Sequence, residues 1–233
     1  MVPRFLLLLA VSPTVALAAD YTPPPPVSPM ASWTAVYAGL HAGGLWGLSD
    51  WQFGNAPINA GPFQVQTSGF LGGGQIGANY QLSGLPLVVG VEAEISAVSA
   101  SGAGVGVSGS PRTITSIAGR AGLVSNATTL VFVKAGPAWL RTNYESIPPA
   151  FSTPASTFTP NIIETKSGVL AGVGAEFLVT PSWSAKLEYD YMDFGSSTVN
   201  FGNAIAPLGA PQTYTVRQRD HAVKFGINYL FGR

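Results

Sequence analysis

The chain has 233 residues, and its 11 basic and 11 acidic side chains give a formal net charge of zero. Neutrality leaves no electrostatic footprint for a nucleic-acid partner, and the lack of cysteine excludes disulfide staples, thiol chemistry and thiolate metal sites. Charged residues make up only 9% of the chain, against roughly 25% in an ordinary soluble domain, while glycine is abundant.

The N-terminus reads as an address. Arg4 precedes an apolar run from Phe5 to Leu9 and on to Val15, and Ala16-Leu17-Ala18 has the small-x-small form of a cleavage site. Residues 1–18 are therefore expected to be a secretory signal peptide. Residues 19–32 follow as a Pro-rich periplasmic leader with four consecutive prolines, Pro23 to Pro26, a composition that favours extended polyproline backbone. No later stretch of about 18 apolar residues offers a spanning helix.

From residue 33 onward the side chains alternate with a period of two, the mark of β-strands. The first strand runs from about 35 to 48, with Val36, Ala38, Leu40, Ala42 and Trp46 on one face and His41 on the other. The second covers 69–82, with Phe70, Ile76 and Tyr80 opposed to Gln75 and Asn79. The third covers 87–98 and turns Glu92 and Glu94 away from Val89, Val91 and Ile95. The fourth, 113–124, carries Arg120, and the fifth, 130–141, carries Lys134 with Pro137 beside it. The sixth, 164–179, carries Lys166 and Glu176. The seventh, 183–191, alternates without a break: Trp183, Ala185, Leu187, Tyr189 and Tyr191 against Ser184, Lys186, Glu188 and Asp190. The eighth, 221–231, sets Val223, Phe225, Ile227, Tyr229 and Phe231 against Lys224 and Asn228.

The connections alternate in length. Long ones follow the odd strands (49–68, 99–112, 142–163 and 194–220) and short ones follow the even strands (83–86, 125–129 and 180–182). Outer-membrane barrels have short periplasmic turns and longer outer loops, and spanning a bilayer with strands requires a closed ring. The fold class expected for residues 33–233 is thus all-β: an eight-stranded antiparallel up-and-down transmembrane β-barrel, apolar outside and polar within. Aromatic residues fit two girdles at the headgroup levels. Trp46, Phe70, Trp139 and Tyr191 form the outer one. Tyr80, Phe177, Trp183, Tyr229 and Phe231 form the periplasmic one. Pro137 withdraws a ladder donor and suggests a bulge or an open edge.

Inside, Glu92, Glu94, Glu176, Glu188 and Asp190 face Arg120, Lys134, Lys166, Lys186 and Lys224. An eight-stranded interior is just wide enough for side chains to fill, and a buried charge without a partner is costly. The ten residues are expected to pair as a plug, with Arg120 among the carboxylates of the third and seventh strands. The alternative is a narrow ion path. Gly72-Gly-Gly-Gln-Ile-Gly77 matches the dinucleotide fingerprint by letter but lies within a strand rather than at a strand-to-helix turn. Two histidines, His41 and His221, are the candidates for a haem or metal site, and no serine nucleophile is marked beside them. No cofactor, metal or catalytic residue is expected. Of the loops, the last carries the charges, Arg217, Arg219 and Asp220.

Trp183-Ser-Ala-Lys-Leu-Glu-Tyr-Asp-Tyr-Met-Asp-Phe-Gly195 resembles the seventh-strand signature of small alphaproteobacterial outer-membrane β-barrel proteins of the opacity and immunogenic-porin type. Trp33-Thr-Ala-Val-Tyr-Ala-Gly-Leu-His-Ala-Gly-Gly44 is similar to their first strand, and Gly119-Arg-Ala-Gly-Leu123 to their fourth. The resemblance implies an eight-stranded barrel in the bacterial outer membrane with surface-exposed loops and a structural, surface-antigen role in the cell envelope. It also implies the lipid and the barrel-insertion machinery as partners. Some members of this type are porins for ions or small solutes. Others bind haem or host molecules through their loops. One departure is that Gly232 and Arg233 extend past Phe231, where members usually end on the terminal aromatic.

Overall fold

The computed structural model describes residues 32–54, 61–104, 107–146, 161–202 and 213–232. The expected signal peptide, all of the leader but Ser32, and Arg233 lie outside the described residues. Eight strands follow one another: β1 (Ala35–Phe53), β2 (Phe63–Gln81), β3 (Leu87–Gly104), β4 (Val107–Asn126), β5 (Thr129–Ser146), β6 (Asn161–Thr180), β7 (Trp183–Asn200) and β8 (Thr213–Phe231). Each pairs antiparallel with the next, and β8 closes on β1 from Val36↔Phe231 to Phe53↔Tyr214. The ring is a closed up-and-down barrel with no free edge, and an even strand number puts both ends of the barrel sequence at the same rim.

The turns at that rim are set by local chemistry. Gly84, with φ of 75°, supplies the left-handed residue between β2 and β3. Asn126 Oδ1 accepts the Thr128 N–H at 3.0 Å in the two-residue β4–β5 turn. Thr180 Oγ1 accepts the Trp183 N–H at 3.1 Å across Pro181-Ser182.

The outward face carries an apolar belt. It includes Val36, Leu40, Phe70, Ile76, Val91, Ile95, Ile117, Leu123, Val133, Val169, Val173, Leu187, Phe225 and Ile227, all large and all exposed. An unbroken apolar band of this kind is stable only against lipid. At the rim opposite the short turns the belt gives way to outward ion pairs, Arg219–Asp50 at 2.6 Å and Arg217–Asp193 at 3.0 Å.

The strands are longer than the alternation alone suggests. Each has 18 to 20 residues, which at about 3.3 Å per residue is roughly 60 Å along the strand. A hydrophobic band needs only about 25 Å of barrel height, so the barrel rises beyond the belt. The expected outer loop 99–112 is therefore replaced by a β3–β4 hairpin with only residues 105–106 between the strands. Arg217, Arg219 and Asp220 lie on β8 rather than in a loop. The reason is a change of medium: above the lipid the outer face meets water, so apolar residues move to the inner face. Tyr214 and Val216 are buried inside while Arg217 and Arg219 face out. A reading that follows outward apolar residues stops where the lipid stops.

Pro137 makes no bulge. The register is the same on either side of it, Ser116↔Ala138 and Gly119↔Ala135; only the pairing opposite Gly136 and Pro137 lapses. That ladder shifts instead near its two ends, between Pro111 and Thr113 and between Val124 and Asn126. The glycine run 72–77 lies within β2.

Candidate functional site

The inward residues of each strand, read from the short turns upward, build the barrel interior in layers. The lowest is apolar: Trp33, Val88, Val124 and Leu130, with Tyr37 and Leu230 beside them. A charged layer follows. Above it lies a second apolar layer that includes Leu45, Leu71, Ile114, Leu140, Leu170, Met192 and Phe194. A polar layer of Thr67, Thr142, Lys166, Gln218 and Asp220 comes next. The top is aromatic and aliphatic: Trp51, Val65, Tyr144, Val199, Tyr214 and Val216.

The charged layer is one connected network. Arg120 Nη2 meets Glu176 Oε2 at 2.7 Å, and its Nη1 donates to the Tyr37 hydroxyl at 3.0 Å and lies 3.7 Å from Glu92 Oε2. Its guanidinium lies over the Phe132 ring at 3.9 Å. Glu176 also accepts from Ser184 Oγ at 2.5 Å and from Asn228 Nδ2 at 2.9 Å. Tyr37 donates to Glu92 at 2.8 Å. Arg120 therefore sits among the carboxylates of β3 and β6, not β3 and β7. Glu176 occupies its level of the barrel, and the β7 carboxylates lie further along the axis with the lysines.

Lys186 Nζ is 3.0 Å from Glu92, 3.1 Å from Glu94 and 3.1 Å from Glu188. Lys134 lies 2.9 Å from Glu188 and 3.1 Å from Glu94. Lys224 lies 2.6 Å from Glu94, 2.6 Å from Glu188 and 2.7 Å from Asp190. The network thus holds five carboxylates and four cations. Inward glycines make room for it: a Cβ at Gly172 would fall on Asp190 Oδ1, and one at Gly77 on the Tyr37 hydroxyl.

Lys166 stands apart from this network. Its Nζ donates to the Val216 carbonyl at 3.0 Å and lies 5.4 Å from the Tyr144 ring centroid. Its neighbour in the polar layer is Asp220, which the sequence placed in a loop; Asp220 accepts from Gln218 Nε2 at 3.0 Å. Both groups lie beyond the apolar belt. Burial pulls the Lys166 ammonium down to about 8 and pushes the Asp220 carboxyl up to about 7.

Glu92, Glu94 and Glu188 bring carboxylate oxygens within 4.8 Å of one another, but the Lys186 ammonium fills the position a cation would take among them. His41 Nδ1 lies 2.5 Å from Gln75 Oε1 and its Nε2 2.7 Å from Ser96 Oγ. This hydroxyl–imidazole contact went unmarked in the sequence. Its third member is an amide rather than a carboxylate, and all three side chains are buried. His221 faces outward, stacked on Trp46 at 5.9 Å and 2.6 Å from the Tyr189 hydroxyl. A cavity between the charged network and the apolar layer above it measures about 10 Å³, room for about one water.

All nine girdle residues project outward. Trp46, Phe70, Trp139 and Tyr191 stand toward the far rim, and His221 and Tyr189 join Trp46 there. Tyr80, Phe177, Trp183, Tyr229 and Phe231 stand toward the short turns, with Trp183 edge-on to Tyr229 at 5.2 Å.

Residues 5–231 match the family model described as outer membrane protein beta-barrel domain. The chain is 29% identical over 246 residues to the 31 kDa outer-membrane immunogenic protein of Brucella melitensis, covering 96% of this chain and 97% of that protein. The protein of the same name from Brucella suis matches equally. Among solved structures, the outer membrane protein OprG from Pseudomonas aeruginosa superposes with a TM-score of 0.57 at 11% identity, covering 88% of this chain and all of that one. That likeness is one of fold.

Proposed function

The chain belongs to the outer-membrane β-barrel protein family, and on that premise we propose that it is a sealed structural barrel that displays its outer connections at the cell surface and passes no solutes. The observation that carries this reading is the layering of the lumen. A solute entering from either rim meets an apolar layer, then a network of buried ion pairs. Opening a path requires parting oppositely charged groups about 3 Å apart in a low-dielectric interior, which is strongly unfavourable. The same closure argues against catalysis, because Ser96, His41 and the carboxylates have no approach from outside. The name of the Brucella relatives fits a surface-accessible envelope protein.

Residues 1–18 are removed on export and 19–32 form a leader on the periplasmic side, so the mature chain begins at Ala19. The lipid is the partner of the apolar belt. The alternating Phe225, Ile227, Tyr229 and Phe231 present β8 to the barrel-insertion machinery. Liposome swelling tests the proposal. Vesicles containing the folded protein should resist small sugars as protein-free vesicles do, while antibody raised against the outer connections labels intact cells. Sugar entry that scales with protein content overturns it.

A further inference from the structure

Four arginines project from the outer face just beyond the apolar belt. Arg217 and Arg219 are neutralised by Asp193 and Asp50. Arg112 and Arg141, on the neighbouring strands β4 and β5, are exposed and make no ion pair or hydrogen bond with any described residue. Arg141 stands two residues beyond Trp139 on the same outward row, and its ladder partners are Thr113 and Thr165. Arg112 sits at the register shift between Pro111 and Thr113, beside that pair. One step further out the row continues with Ser110 and Asn143. The next carboxylate on the β5 row, Glu145, takes the Asn143 amide at 3.2 Å; it lies four residues from Arg141, about 13 Å along the strand. The β4–β5 face thus carries two uncompensated guanidinium groups flanked by hydroxyls, directly above an interfacial tryptophan. Below them Ile117 and Val169 offer an apolar wall.

We propose that Arg112 and Arg141 form a binding site for the phosphates of an outer-leaflet glycolipid of the lipopolysaccharide class. The planar guanidinium matches phosphate oxygens bidentately. Thr113 and Thr165 supply hydroxyl donors for sugar oxygens, and Trp139 with the apolar wall receives the acyl chains. The site lies on the rim of the longer connections, which is the cell exterior, where phosphorylated glycolipid is the abundant anion. Each basic residue at an anionic membrane surface contributes about a fivefold preference, so the pair gives roughly twentyfold or more.

The test is native mass spectrometry of the full folded barrel released from mixed micelles, each doped with diphosphoryl lipid A, dephosphorylated lipid A or phosphatidylglycerol. The wild-type barrel is expected to retain one diphosphoryl lipid A. The R112Q/R141Q double variant should lose that retention by roughly twentyfold, while R217Q/R219Q keeps it. Heat-modifiable gel migration confirms that each variant is folded. Equal retention by R112Q/R141Q, or by the wild type of dephosphorylated lipid A, overturns the site. Equal retention of phosphatidylglycerol overturns its assignment to a glycolipid.

Discussion

Replacing Lys186 with methionine isolates what the luminal network contributes. Lys186 is fully buried, and its ammonium touches Glu92, Glu94 and Glu188 at 3.0, 3.1 and 3.1 Å. At an effective dielectric constant of about 20, each contact is worth roughly 5 kcal/mol of Coulomb attraction. Much of that sum offsets the desolvation of the ammonium and the repulsion among the three carboxylates. What the variant exposes is the uncompensated remainder, because it leaves five carboxylates facing three cations. Breaking a buried pair in this way costs about 3–5 kcal/mol, so Lys186→Met should lower the unfolding free energy by that amount. Urea titration of the barrel folded in lipid bilayers, followed by tryptophan fluorescence, measures it. Adding Glu92→Gln removes one of the stranded charges and should recover about 1–3 kcal/mol as coupling. A Lys186→Met barrel within about 0.5 kcal/mol of wild type, with no coupling to Glu92→Gln, would refute the idea that the ion pairs hold the lumen closed.

Two further perturbations follow from the geometry. Asp220 keeps its proton in the folded barrel up to about 7, whereas the free carboxyl releases it near 3.8, so stability falls as pH rises across that window. Lys166 is neutral in the folded barrel above about 8 while the unfolded chain stays protonated to 10.5, so stability climbs there. Asp220→Asn should abolish the first slope, start the second at lower pH because the Asp220 charge no longer holds the Lys166 ammonium up, and stabilise the barrel above pH 7; urea midpoints measured across pH check this, and a first slope retained by the variant contradicts it. Gly77→Val would drive a side chain onto the Tyr37 hydroxyl and part it from Glu92 and Arg120. Overpacking and the lost hydrogen bonds should together cost about 2–4 kcal/mol in the same titration, and a neutral effect would show that Tyr37 is no part of the network.

Much of this architecture is legible in the sequence because lipid imposes a simple rule. Between Trp183 and Tyr191, or Val223 and Phe231, every outward residue must be apolar, so the period of two stands out. The inward charges are equally visible, since Lys186, Glu188 and Asp190 occupy the opposite face at fixed parity. What the alternation does not reveal is where the strands end. Past His221 the outer medium changes from lipid to water, and the apolar residues switch parity to Tyr214 and Val216 on the inner face. A parity switch without a turn signal looks like the end of a strand. Pairing is the other hidden layer. Arg120 and Glu176 are 56 residues apart in the chain, and only the stagger of the closed ring puts them at one level. Lys166 reads like the other inward lysines, yet that stagger sets it in a different layer with Asp220. Ser96 and Gln75 are ordinary strand residues by type, and only the barrel's curvature brings them onto both nitrogens of His41.

Whether the lumen is closed can be read by single-channel recording in a planar bilayer. Wild-type barrel shown to be inserted by its heat-modifiable migration should give a silent bilayer, because the apolar layers and the Lys186 and Lys224 networks leave no continuous path. Stable conductance steps whose ion selectivity shifts on Glu92→Gln or Lys186→Met would show an open lumen and make the charged layer the wall of a pore.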